Sequence, residues 1–347
     1  MPGKHDERQK LGSPRAARRR TTIDDVAKLA GVSRQTVSRA INDKGEIDPA
    51  TKERVLEATR TLGYRPSRFA QGMRRQDSVT LGLVISDLSN PYFAEVAVAV
   101  LEVAEERGWH VIVCDSRNDE GKEQEALDVL SRQADAIIGH CSSPDDMLAR
   151  HAPGMPLVLL ERGVDQTRFG SVGIDTEAGM QQAFAHLTGA GHRRIGMLDG
   201  APDDRPSARR EHFLAQVRLY DLPVGPDWVV SCDRHSVSAG ERGMDALLDA
   251  HPDVTAVVGF NDLIAVGAIR TARRRGLRVP DDVAVLGFDG LALGELVEPP
   301  LTTLSIDKRE LGRLAVEQVA AQLSADEKPA AEGDARVRPE LVLRASA

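Results

Sequence analysis

No stretch of eighteen apolar residues occurs in the 347-residue chain, which excludes a membrane-crossing helix. The opening MPGKHDERQK lacks the apolar core of a secretory leader, so a cytoplasmic protein with no membrane partner is expected. Cysteine is scarce: Cys114, Cys141 and Cys232 stand far apart and are odd in number. No CxxC or Cys/His spacing suggests a metal, no disulfide framework is implied, and the three read as small hydrophobes near strands. Also missing are GxGxxG opening a helix after a strand, GxxxxGK followed by Ser or Thr, GxSxG and HExxH. The nine histidines do not cluster. Neither metal nor cofactor is expected, and these absences weigh against an enzyme.

Hydrophobic residues make up 41% of the chain and charged ones 28%, ordinary values for a globular protein long enough for two or three domains. The net charge of −8 alone argues against a polyanionic partner, but the charge is unevenly placed. Residues 1–76 carry 18 Lys and Arg against 9 Asp and Glu; the remainder carries 27 against 44. A basic head on an acidic body leaves the head to meet nucleic acid.

Residues 1–20 include Lys4, Arg8, Lys10, Arg15 and the run Arg18-Arg19-Arg20 with few apolar residues, and read as a disordered basic arm. Order is expected from Thr22, which forms a capping box with Asp25. Ile23, Val26, Ala27 and Ala30 follow helical spacing. Gly31-Val32 ends that helix, and Ser33 caps a second one running to Ile41. Asp48 and Pro49 open a third, with Val55, Ala58 and Leu62 inward and Gly63 as its stop. On a helical wheel, Arg34, Gln35, Ser38, Arg39 and Asn42 share one arc, and Val37, Ala40 and Ile41 face the other way. A helix docked by the second set offers a polar, cationic face. Arg and Gln carry the donors and acceptors that read base edges, while Ser and Thr suit phosphates. Two short helices around Ala-Gly-Val-Ser form a helix-turn-helix over residues 21–65.

From TTIDDVAKLAGVSRQTVSRAINDKGEIDPATKERVLEATRTLGYRPSRFAQGM through SDLSNPYFAEV to PLTTLSID and RPELVLRAS, the sequence resembles the LacI/GalR (lactose-repressor) family. The resemblance implies a homodimer on near-palindromic operator DNA, acting as a repressor whose affinity a small molecule controls. By position it makes Arg34 and Gln35 base readers and Arg39 a further base or phosphate contact. Ser33, Thr36 and Ser38 become phosphate anchors, with Thr22, Asn42, Tyr64 and Arg68 completing the DNA-facing set. Residues 66–77 resemble the family's hinge helix, which orders on the operator and wedges a leucine into the minor groove. Met73 stands at that position here, apolar and able to open a base step.

After Ser78, short apolar runs alternate with amphipathic helices, which implies parallel sheets covered on both faces. Nearly 270 residues of this pattern suggest two α/β lobes: an N-lobe of about 78–175 and 291–325, and a C-lobe of about 176–290 and 326–347. The class expected is an all-α helix-turn-helix head on a two-lobed, periplasmic-binding-protein-like sensor. Parallel sheets gather ligands at the carboxyl ends of their strands. The segment Asp87 to Phe93, Asp175, Asn261-Asp262 and Asp289 all follow strands, and carboxylates suit vicinal hydroxyls; each Asp equally suits a helix cap. The resemblance selects Asp262, Arg209 and Asp175 as effector contacts, Tyr92 and Phe93 as cleft walls, and Arg205 as an extra contact, with Asp289 kept from the strand-end reading. Where relatives stack an aromatic after Asp233, this chain has Arg234-His235. That argues against a neutral sugar packed on an aromatic face and leaves room for an anionic or phosphorylated one, so the effector expected is a sugar or a sugar phosphate. No heptad-patterned tail follows Arg344, so a dimer and not a tetramer is expected. A periplasmic sugar-binding protein is the main rival and would need a leader and no head. Induction and co-repression both remain open.

Overall fold

The structure, a computed structural model, describes residues 22–41, 47–62, 79–162, 168–202, 206–324 and 335–347. The chain divides into two compact units, one ending at Gln76 and the other beginning at Asp77. The basic arm, the hinge segment and Asn42, Tyr64, Arg68, Met73 and Arg205 lie outside the described residues.

The first unit packs α1 (Ile23–Ala30), α2 (Arg34–Ile41) and α3 (Pro49–Thr61) against one another. Thr22 opens α1: the Asp25 carboxylate accepts from the Thr22 backbone N–H at 2.8 Å, and the Thr22 hydroxyl accepts from the Asp25 N–H. Gly31 closes it at φ +69°, a left-handed conformation that glycine adopts without a Cβ penalty. The Ser33 hydroxyl accepts from the Thr36 N–H at 3.1 Å, and the Asp48 carboxylate accepts from the Thr51 N–H at 3.0 Å. Val26, Val37 and Val55, one per helix, are fully buried, with Ala27, Ala30, Ala40 and Ala58 filling in around them. Small side chains let three short helices approach closely around a small core.

The second unit holds two six-stranded sheets. In the N-lobe, β1 (Thr80–Ile85), β2 (His110–Asp115), β3 (Ala136–Gly139), β4 (Leu157–Leu160), β5 (Gly170–Ile174) and β11 (Ala335–Val337) run in the order β11-β5-β4-β3-β1-β2, all parallel. Its helices are α4 (Pro91–Glu106), α5 (Glu120–Gln133), α6 (Asp145–His151) and α11 (Lys308–Ser324). The C-lobe sheet has β6 (Ile195–Asp199), β7 (Val229–Ser231), β8 (Ala256–Gly259), β9 (Ala284–Asp289), β10 (Thr302–Ser305) and β12 (Glu340–Val342) in the order β12-β10-β9-β8-β6-β7. Only the β10–β12 pair in it is antiparallel. Its helices are α7 (Thr176–Gly189), α8 (Ala208–Leu219), α9 (Val237–Ala250) and α10 (Asp262–Arg274). Strands β3, β4, β6, β8 and β9 are buried along their whole length, as parallel strands covered on both faces must be. Helices α9 and α10 meet at Gly240 and Gly267, where an added Cβ would lie 2.2 Å from the carbonyls of Ile264 and Val237.

The expected lobe boundaries need correction. Residues 302–305 pair with β9, so the chain stays in the C-lobe past residue 291 and returns to the N-lobe only at α11. Strand β11 then adds to β5 in the N-lobe before β12 closes the C-lobe edge. Three crossings, after β5, after β10 and between β11 and β12, join the lobes.

Candidate functional site

Two places concentrate chemistry. On α2, Val37 and Ala40 are buried, while Arg34, Gln35 and Arg39 are exposed on the other side and Thr36 and Ser38 are half-buried. The Ser33 and Thr36 hydroxyls lie 2.9 Å apart. The amphipathic split read from the wheel is therefore present, and its free face carries two guanidinium groups and an amide. The Thr22 hydroxyl is engaged by Asp25 at 2.7 Å, so its first role is to cap α1.

The second place is a cavity of about 380 Å³ between the lobes of the body. The N-lobe contributes Asn90, Tyr92 and Phe93 from the start of α4, with His140, Glu161 and Arg162 from the turns after β3 and β4. The C-lobe contributes Arg209 and His212 from α8, with His235, Phe260, Asn261 and Asp289 from the ends of its strands or the turns beyond them. Asn90 caps α4 by accepting from the Tyr92 N–H at 3.1 Å, and this fixes where both aromatic side chains leave the helix.

Arg209 is the hub. Its guanidinium lies 3.9 Å from the Phe288 ring centroid and 4.4 Å from that of Phe260, and it donates to the Phe260 carbonyl. Asp289 lies 3.5 Å from it in the C-lobe and Glu161 3.9 Å across the cleft. The Tyr92 hydroxyl donates to Glu161 at 2.5 Å; burial first, then the Glu161 charge, holds the phenol well above its ordinary pKa. Burial also pushes the Asp289 carboxyl well above the usual carboxylate range, against the pull of Arg209 and with the help of Asp262 and Glu161. Asp289 sits at φ +112°, a conformation costly for a residue with a side chain. Arg209 thus meets two carboxyl groups, and burial holds one of them, Asp289, toward its neutral form.

Tyr92, Phe93, Arg209 and Asp289 come together in this cavity. Asp262 does not: it is fully buried beneath the wall, accepting from the Leu291 N–H and the Thr303 hydroxyl, each at 2.6 Å. Its neighbour Asn261 lines the cavity instead, while also capping α10. The one-residue error has a simple cause, because a helix start turns successive side chains in different directions. Asp175 is likewise outside the lining; its carboxylate caps α7 through the Ala178 N–H at 3.0 Å, and Ile174 and Thr176 on either side face the cavity. For that residue the helix-cap reading prevails. Glu161, His140 and His212 were not singled out from sequence. Glu161 and His140 each follow a strand, so the strand-end rule applied to every strand would have found both.

A helix-turn-helix head carried with a two-lobed body whose cavity lies at the strand ends defines a DNA-binding regulator with a ligand-sensing domain. Residues 22–67 match the bacterial regulatory proteins of the lacI family, and residues 184–347 match a periplasmic binding protein-like domain. The chain is 32% identical over 332 residues to the HTH-type transcriptional repressor PurR of Aliivibrio fischeri, covering 94% of this chain and 98% of that one. A LacI family transcriptional regulator from Arthrobacter sp. FB24, solved in complex with lactose, superposes with a TM-score of 0.71 at 31% identity, covering 78% of this chain and 99% of the other. The lac repressor dimer bound to operator and an anti-inducer gives 0.70 at 28% identity, covering 94% and 99%. The chain belongs to the LacI family of bacterial transcriptional regulators.

Proposed function

We propose that this regulator is a homodimeric repressor that releases or engages a near-palindromic operator according to whether a neutral sugar occupies the interlobe cleft. The observation that carries the reading is the placement of Glu161, Arg209 and Asp289. One cation and two carboxyl groups from opposite lobes converge on one cavity, and such groups pair with vicinal hydroxyls. A ligand bound to both walls favours one lobe arrangement over another, which is all that control of operator affinity requires. Lactose in the Arthrobacter relative supports a sugar, and an uncharged one. On the DNA side, Arg34 and Gln35 are the proposed base readers, Arg39 a base or phosphate contact, and Ser33, Thr36 and Ser38 the phosphate contacts. In the cleft, Tyr92, Phe93, Glu161, Arg209, Asn261 and Asp289 are the proposed effector contacts.

Fluorescence anisotropy on DNA from upstream of the protein's own gene, against scrambled DNA at physiological salt, tests this directly. The expected result is tight binding to the native fragment, altered by one neutral sugar from a panel that also holds sugar phosphates and purines. A response to a purine alone would replace the sugar reading with a purine-sensing one. Equal, weak, salt-sensitive binding to both DNAs would contradict the sequence-specific assignment.

A further inference from the structure

His235 lines the cleft on a wall built from stacked planar groups. Its ring lies 4.6 Å from that of Phe260 at 24°, and the face of Phe260 also carries the Arg209 guanidinium. Its Nε2 is 2.9 Å from the Gly200 carbonyl oxygen. A carbonyl oxygen has no hydrogen to give, so Nε2 holds the ring proton and the neutral imidazole leaves Nδ1 as a bare lone pair. Nδ1 has no hydrogen-bond partner among the described residues. The charged and titratable groups around the ring are Arg209 on α8, His140 from the opposite lobe and Asp199 at the end of β6. Burial lowers the imidazole pKa, Arg209 and His140 add to that, and the Gly200 carbonyl and Asp199 oppose it without reversing it.

We infer that His235 is a specificity-determining residue of the cleft, presenting Nδ1 as a hydrogen-bond acceptor that selects a ligand hydroxyl over an anionic oxygen. The inference rests on the reading of the cleft as a sugar site and adds a rule for which sugars enter it. A hydroxyl donates to Nδ1 directly. A phosphate oxygen meets it lone pair to lone pair unless the ring first takes a proton, and that proton brings a second cation beside Arg209. Affinity for an uncharged sugar therefore falls as the pH drops and the imidazole protonates, while affinity for a sugar phosphate rises over the same interval. The opposite signs separate this device from a general acid weakening of the fold.

The test is isothermal titration of the full chain with glucose, ribose, lactose, cellobiose and glucose 6-phosphate at pH 7.5. The expected result is a neutral sugar that binds at least several-fold more tightly than glucose 6-phosphate. His235→Phe keeps a flat ring against Phe260 and removes the acceptor. It should weaken that sugar about five- to tenfold at pH 7.5, the size of one neutral hydrogen bond. His235→Gln serves as the second variant, with circular dichroism as the folding check on both. A neutral sugar whose affinity at pH 7.5 is unchanged in His235→Phe, or glucose 6-phosphate binding as tightly as the neutral sugars, overturns the inference and leaves the sugar site standing. Nitrogen NMR of the imidazole at pH 7.5 gives a ligand-free test, since a proton on Nδ1 overturns the assignment. Failure of every sugar to bind overturns the sugar reading and this inference together.

Discussion

The Lys308 ammonium lies 3.2 Å from the Glu95 carboxylate of α4 and also donates to the main-chain carbonyls of Asp289 and Gly290, the latter at 3.1 Å. Lys308 opens α11, which packs on α4 in the N-lobe, whereas Asp289 and Gly290 leave β9 in the C-lobe. One half-buried cation with three N–H donors thus meets three acceptors drawn from both lobes. It fixes the strained turn that carries Asp289 and ties it to the helix that carries Tyr92 and Phe93. The lobes are therefore joined behind the cleft as well as by the three chain crossings.

Replacing Lys308 by Met keeps the apolar stem and deletes all three bonds, leaving two carbonyls without their cation. The expected loss is about 1–3 kcal/mol in urea denaturation. Glu95→Gln should cost less than about 1 kcal/mol, because Glu95 is 38% exposed and its charge is screened by water. Equal losses from the two variants would mean that the carbonyl bonds contribute nothing and the ion pair is the whole interaction.

Asp262 shapes the stability of the body with pH. Burial pushes its carboxyl up to about 6, and the bonds from Thr303 and Leu291 only partly offset this. A carboxyl whose pKa is higher in the folded state than in the unfolded chain holds its proton more tightly when folded. Its contribution to stability is full below about pH 4 and is lost as the pH rises toward 6. Asp262→Asn, which cannot ionise, should show a flatter stability profile than the parent between pH 4.5 and 7. Parallel profiles in urea denaturation would show that Asp262 is ionised throughout and owes its position to the two bonds alone.

The helices of the head and the long buried strands were legible because their signals are local. Thr22 with Asp25, Gly31, Ser33 and Asp48 with Pro49 mark helix ends by chemistry that acts within four residues. Runs such as Leu81 to Ile85 and Val283 to Leu286 announce strands covered on both faces. The lobe boundaries were not legible, since Thr302–Ser305, Ala335–Val337 and Glu340–Val342 are only three or four residues long. Which sheet each joins is decided by distant partners. The same limit explains Asp262 and Asn261: the strand-end rule found the pair, and only the direction of each side chain told which faces the cleft.

Arg34 is exposed at the first turn of α2, anchored by the buried Val37 and Ala40 behind it. Truncation to Ala should leave the core of the head intact and cost about 1–3 kcal/mol for the operator relative to scrambled DNA. Lys52, half-buried on α3, is the comparison: Lys52→Ala should lower affinity for both DNAs by similar factors or not at all. Anisotropy titrations on both duplexes decide it. An Arg34→Ala loss of equal size on the two would reassign the guanidinium to the phosphate backbone.

Asp289 faces Arg209 at 3.5 Å, which on distance alone reads as a buried ion pair. Burial, however, holds the carboxyl toward its protonated form, and the two views predict different costs for Asp289→Asn. If the carboxyl is neutral, asparagine replaces it with little change in shape or charge. Its tolerance of positive φ also suits the backbone at +112°. The expected loss is then below about 1 kcal/mol in urea denaturation at pH 7. Breaking a true buried ion pair would cost about 3–5 kcal/mol instead, because the Arg209 charge would be left uncompensated. Arg209→Met should fall in that larger range on either view, since it removes the bond to the Phe260 carbonyl and the contacts with the Phe260 and Phe288 rings together. A small cost for Asp289→Asn beside a large one for Arg209→Met would establish Asp289 as a neutral hydrogen-bonding wall of the cleft. Two large costs would make it a carboxylate paired with Arg209.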